Sequence, residues 1–207
     1  MKIVEPIRDT DQLKRCFDIA RRRDKKRRAG ELSWELLLVV GFNTSLRISD
    51  IVRFRVRDLR GQEYARTTAQ KTGKDTRILI NPAARREISR LTSGCAADEY
   101  ILQSRQKEKT SNTYKPISRQ RAYQIINEIC REAGIKDRIG CHTMRKTFGY
   151  HYYKLTGDIV SLQRILGHSN QRDTLRYIGI IEDEIDESLR KFRLIGENSR
   201  AEGISLT

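Results

Sequence analysis

The sequence predicts a mainly α-helical domain with a small antiparallel β-sheet, an α+β fold. Three observations lead there. Apolar residues recur at spacings of three and four through most of the chain. Capping residues and glycines punctuate those runs. Residues with β propensity concentrate in one stretch, on either side of a turn.

The elements follow in order. Thr10 or Asp11 caps a helix over residues 10–28, with Leu13, Cys16, Phe17 and Ala20 on one face and Gly30 as its stop. Leu32 to Phe42 is too densely apolar for a surface helix and belongs in the core. Asn43-Thr44-Ser45 breaks that pattern, and the stretch Arg47 to Val52 starts a short helix. Tyr64 to Ala69 and Thr76 to Ile80 read as strands joined by the turn Lys71-Thr72-Gly73-Lys74-Asp75, in a sheet of two or three strands. Pro82 suits the first turn of a helix running to Thr92. Residues 103–115 are polar and read as loop. Ser118 caps a helix that ends near Gly134, with Ala122, Ile125, Ile126 and Ile129 inward. Thr143 begins a helix ending at Gly157, and Asp158 caps Ile159 to Leu166, closed by Gly167. A segment from Gln171 carries Leu175, Tyr177 and Ile178. The last helix, Glu182 to Ile195, places Ile185, Leu189 and Phe192 in one stripe. No repeat and no interdomain linker stands out, so residues 1–207 read as one domain: a core over about 10–180, then a C-terminal helix and tail.

Charge narrows the function classes. Lys and Arg number 42 against 27 acids, a net charge of +15, which favours a polyanionic partner and nucleic acid first. The run Arg21, Arg22, Arg23, Lys25, Lys26, Arg27 and Arg28 is a candidate phosphate-backbone contact, as is Lys74. No apolar run is long enough to span a bilayer, and Met1 to Pro6 lacks the apolar stretch of a signal peptide, so a cytoplasmic protein without a membrane partner is expected. Cys16, Cys95, Cys130 and Cys141 are too irregularly spaced for a disulfide framework or a zinc finger, and no metal is expected.

Three clusters carry candidate chemistry. His142-Thr143-Met144-Arg145 puts an imidazole and a guanidinium three residues apart at a helix start, on one face. Leu166-Gly167-His168 places a second imidazole at a helix end, and Tyr177 follows nine residues later. Arginine grips phosphate oxygens through its fork, histidine relays protons, and tyrosine can attack to form a covalent intermediate, so the set suits phosphoryl transfer. The third histidine, His151, reads as structural.

With Arg47 in Thr44-Ser45-Leu46-Arg47-Ile48-Ser49-Asp50 and Lys71 in the hairpin turn, these positions run Arg, Lys, His-x-x-Arg, His, Tyr at intervals of 24, 71, 3, 23 and 9 residues. In that order they resemble the catalytic domain of the tyrosine recombinase, or phage integrase, family, over roughly residues 10–195. The resemblance implies a site-specific DNA recombinase encoded by a prokaryotic cell or mobile element. It implies that Tyr177 attacks to leave a 3′-phosphotyrosine and a free 5′-hydroxyl. Arg47 and Arg145 would hold the scissile phosphate, His168 would bond to the same oxygens, and His142 would take the tyrosine proton or orient the phosphate. Lys71 would protonate the leaving 5′ oxygen, with Lys74 as its rival, and Asp50 would orient an arginine or histidine. The bond energy stays in the phosphotyrosine, so the resemblance implies no cofactor: neither ATP nor metal. Partners implied are double-stranded DNA and further copies of the chain, a tetramer on paired sites linked by the C-terminal helix. A type IB topoisomerase-like enzyme and a non-cleaving DNA-binding regulator are the alternatives. Two departures stand out. Only 46 residues precede Arg47, so no separate N-terminal core-binding domain is expected, and Lys146 stands where many members have histidine, with little consequence expected.

Overall fold

The computed structural model describes residues 4–25, 33–68, 75–107 and 113–192. Along the chain lie α1 (Thr10–Asp24), α2 (Trp34–Asn43), α3 (Ile48–Ile51), α4 (Val56–Leu59), β1 (Tyr64–Thr68), β2 (Asp75–Leu79), α5 (Pro82–Leu91), β3 (Gln103–Lys107), β4 (Tyr114–Pro116), α6 (Arg119–Glu132), α7 (Thr143–Thr156), α8 (Ile159–Leu166), α9 (Gln171–Ile178) and α10 (Ile180–Lys191). The α+β expectation is met, with helices dominating.

The core is built around α2. Leu36, Leu37, Leu38, Val39 and Val40 are all buried, as expected of a helix apolar on every side. It packs against α1, α5 and α7, and α6 lies against α1. Buried Glu35 on α2 accepts from Arg21 Nε at 2.8 Å and Arg90 Nη2 at 2.9 Å, joining α1, α2 and α5 through one carboxylate.

Several boundaries differ from the sequence reading. Asp9 caps α1 in place of Thr10 or Asp11, its carboxylate accepting from the Asp11 N–H at 2.7 Å. The expected end of that helix and its Gly30 stop lie outside the described residues. The β1–β2 hairpin pairs Tyr64 with Leu79 and Thr68 with Asp75. Residues 103–115 are not simply loop: β3 and β4 form a second antiparallel pair, with Gln103 opposite Pro116 and Lys107 opposite Tyr114. Helix α4 also goes beyond the sequence reading. The last helix starts at Ile180, directly after Gly179, rather than at Glu182.

A second, smaller apolar cluster sits apart from the main one. It gathers Tyr150, Leu162, Leu166, Ile178 and Ile180 from α7, α8, α9 and α10, with Tyr177 packed against it. Gly149 permits this assembly, because a Cβ there would lie 2.7 Å from Ile178 Cγ2. Gly179 joins α9 to α10 at φ +83°, a left-handed conformation that favours glycine. The N-terminal segment ties the clusters together. Ile7 is buried in the main core, donates its N–H to Thr147 Oγ1 at 2.9 Å, and offers its carbonyl to His151 Nε2 at 2.9 Å. His151 is thus structural, as read. Arg8 then reaches Asp183 on α10, Nε to Oδ1, at 2.8 Å. Among the described residues no helix is long and apolar enough to cross a membrane, and no His, Cys, Asp or Glu cluster gathers as a metal site.

Candidate active site

Arg145 is the pivot of the site. It occupies the first turn of α7 and is 7% exposed. Its Nη1 donates to the carbonyl of Ser45 in the loop after α2, and its Nη2 donates to the carbonyl of Leu166 at the end of α8, at 2.5 Å. A guanidinium has five N–H donors, so two anchoring bonds fix its plane and leave three for a ligand. Both acceptors come from chain breaks: Ser45 from the stretch that ends α2, Leu166 from the turn that Gly167 closes in the left-handed conformation.

Arg47 follows Ser45 by two residues and is the N-cap of α3, with an exposed side chain. Asp50 accepts from the Arg47 backbone N–H at 3.2 Å. The acid sets the chain direction at Arg47 through its backbone, and its charge also attracts Arg145. The positive charge of Arg47 acts on Arg145, His142, His168 and Tyr177 alike, so the fold brings these five together.

Tyr177 stands among them, inside its own chain. Its hydroxyl lies 3.2 Å from His142 Nδ1. The rings of His142 and His168 meet it edge-on, at centroid distances of 6.2 and 4.9 Å and interplanar angles of 87° and 78°. Burial pushes the phenol above its ordinary pKa, while the guanidinium of Arg145 beside its oxygen, and Arg47 farther off, pull it back. Loss of water around the ring holds His142 below the usual imidazole range, although the residue is exposed overall, and Arg145, Arg47, Lys146 and Arg119 add to the effect. His168 is lowered in the same way, by burial first and then by Arg145 and Arg47, with Asp173 opposing. A neutral imidazole beside a protonated phenol is a proton acceptor in waiting. His168 Nδ1 lies 3.1 Å from Thr174 Oγ1, whose own hydroxyl donates to the Asn170 carbonyl at 3.0 Å. With that hydroxyl proton committed, Nδ1 carries the His168 hydrogen and Nε2 is left to exchange a proton.

Other candidates fare differently. Lys71, Lys74, Lys26, Arg27 and Arg28 lie outside the described residues. Arg21 is held by Glu35, and Arg22 and Arg23 meet Glu132 of α6 at 3.3 and 2.7 Å. Arg23 also lies over the Trp34 ring, 5.0 Å from its centre. Lys25 is exposed. These three arginines thus hold helices together, a role that a charge run alone does not reveal. Sequence reasoning gave too little weight to Lys146. It is buried, and its Nζ lies 5.1 Å above the centre of the Tyr177 ring. Arg119, at the start of α6, adds positive charge near His142 and was also missed. Neither has a fixed spacing to the tyrosine that a sequence pattern would flag.

The arrangement has known counterparts. The phage integrase family model matches residues 8–182. The probable integrase/recombinase YoeC of Bacillus subtilis (strain 168) is 38% identical over 192 residues, covering 93% of this chain and 98% of that protein. The crystal structure of XerA recombinase superposes with a TM-score of 0.66 at 17% identity, over 93% of this chain and 66% of that one. XerH site-specific recombinase, in a post-cleavage complex with its palindromic difH substrate, also gives 0.66, at 13% identity, over 92% and 54%. The chain spans about half the length of the longer tyrosine recombinases that it matches. With its helical fold, its clustered Arg, His and Tyr side chains and these likenesses, the chain belongs to the phage integrase family, the tyrosine recombinases.

Proposed function

We propose that this protein cleaves and rejoins double-stranded DNA through Tyr177. The phenol oxygen attacks the scissile phosphorus, the new Oη–P bond replaces the P–O5′ bond, and a 3′-phosphotyrosine remains. The proton leaves Tyr177 for His142 Nδ1, and the departing 5′ oxygen takes one from Lys71, with Lys74 as the rival donor. Arg145 and Arg47 bind the nonbridging oxygens and stabilise the charge of the pentacoordinate transition state, and His168 donates to the same oxygens through Nε2 once that nitrogen has taken up a proton. Asp50 fixes the backbone from which Arg47 projects. Rejoining is the reverse step, with a 5′-hydroxyl attacking the phosphotyrosine. The observation that carries this reading is the 3.2 Å approach of Tyr177 Oη to a histidine kept neutral by its surroundings.

Strand exchange needs several copies on paired sites, and the α10 helix is the proposed link. Ile185 and Leu189 on it are 53% and 64% exposed, an apolar stripe that a neighbouring protomer would bury. Incubation with a nicked suicide DNA substrate tests the chemistry. The wild-type chain should form a denaturation-resistant adduct, and Tyr177→Phe should bind the same DNA without forming one. An adduct that survives in Tyr177→Phe, or maps to Tyr150, Tyr152 or Tyr153, refutes the assignment.

A further inference from the structure

Three groups touch the Tyr177 ring from different directions. His142 and His168 meet it edge-on, and Lys146 covers a face. Two of the three have a place in the reaction proposed above; Lys146 has none.

Lys146 is in an unusual position for a lysine. It follows Arg145 on α7 and is only 9% exposed. Among the described residues no carboxylate stands within ion-pairing distance of its Nζ. Glu5 from the N-terminal segment and Glu182 from α10 attract it from farther off, and Arg8 repels it. A buried ammonium without a close partner costs the fold stability. Its nearest assigned partner is the Tyr177 ring, at a distance typical of a cation over an aromatic face. The ammonium sits over the ring and not beside the oxygen, which Arg145 attends.

We infer that Lys146 is a positioning residue for the nucleophile: its ammonium holds the Tyr177 ring in place between the two imidazoles and favours the electron-rich ring that forms as the phenol proton departs. The inference rests on Tyr177 being the attacking group. The physical reason is that a cation attracts the face of a phenolate more strongly than that of a phenol, so the contact strengthens along the reaction path and stabilises the transition state more than the ground state.

Its own charge is conditional. Burial lowers the Lys146 pKa, Glu5 and Glu182 oppose that shift, and Arg8 adds to it. Tyr177, His142 and the adjacent Arg145 are further titratable groups near it. Above the pH at which Lys146 loses its proton the contact disappears, and the wild-type chain should then behave like a variant without it.

The experiment uses the full chain, a nicked suicide duplex and single-turnover adduct formation at saturating protein, followed from about pH 6 to 10. Lys146→Met keeps the length and bulk of the side chain and removes the charge. It should cleave about tenfold more slowly near neutral pH, the scale of a desolvated cation–π contact, with DNA affinity little changed. The deficit should narrow as pH rises. Lys146→Arg should restore most of the rate, because a guanidinium also stacks on aromatic faces. A merely structural lysine would give a pH-independent deficit that Arg does not repair. If Lys146→Met does not fold, Lys146→Gln takes its place. Equal wild-type and Lys146→Met rates at every pH overturn the inference while leaving Tyr177 as the nucleophile. A deficit that vanishes at saturating protein makes Lys146 a DNA-affinity residue and overturns it too. Absence of any wild-type adduct overturns the Tyr177 reading and this inference with it.

Discussion

At the scale of single residues, Arg145 holds the site together before it meets any substrate. Its bonds to the Ser45 and Leu166 carbonyls tie the loop that carries Arg47 to the turn that carries His168. Arg145→Lys keeps the charge but has no fork with which to reach both carbonyls and a phosphate at once. It should lower the cleavage rate by a barrier increase of about 3 kcal/mol and also lower the melting temperature; near wild-type cleavage would remove Arg145 from the proposed pair. The histidines predict acid sensitivity. Both His142 and His168 sit below their ordinary pKa in the folded chain, so the unfolded chain takes up their protons first as pH falls. Their contribution is therefore intact above the unfolded imidazole value of about 6.5 and is lost as pH drops from there through the folded values. The thermal midpoint should fall as pH drops below about 6.5, and His142→Asn should soften that fall. An unchanged slope in His142→Asn would assign the acid loss to other groups. The candidate site residues were legible in the sequence because their chemistry and order are distinctive. Lys146 was not, because its partner lies 31 positions away on another helix and only packing brings them together.

Among the elements, the helices with a strong apolar face were readable, and α8 matches its expected bounds because Asp158 and Gly167 mark both ends. The β3–β4 pair was hidden for a physical reason. Gln103-Ser104-Arg105-Gln106-Lys107 lacks apolar alternation, and its last three residues are exposed, so pairing with β4 defines the strand more than burial does. At the α9–α10 junction, the Gly179 conformation and the Arg8–Asp183 bridge set where the last helix leaves the domain. Ile185 and Leu189 of α10 face solvent here and Ile180 is its one fully buried side chain, so removing the helix should cost folding stability only through Ile180 and the Arg8–Asp183 bridge. A chain truncated after Gly179 should bind a single DNA site but lose cooperative assembly on paired sites, as mobility-shift titration would reveal. Normal assembly together with a large drop in melting temperature would place α10 in its own protomer's core instead.

For the whole molecule, the sequence conveyed the composition of the core but not its division. The main cluster runs through α1, α2, α5 and α6, whereas Tyr177 packs against the smaller one. Among the described residues the links between the two include one face of α7, the Arg145 bonds, the Ser45–Ile165 bond and the N-terminal segment. Opening the α8–α10 unit therefore exposes far less apolar surface than unfolding the domain and needs less free energy. Backbone amides in α8 and α9 should exchange with deuterium well before those of α2 and α6. In rising urea, adduct formation should fail at a concentration where the far-ultraviolet helical signal is still largely intact, and it should return on dilution. Uniform protection across all these helices would show a single cooperative unit. With two units, the molecule can put its tyrosine out of action reversibly while the scaffold that carries most of the arginines stays folded.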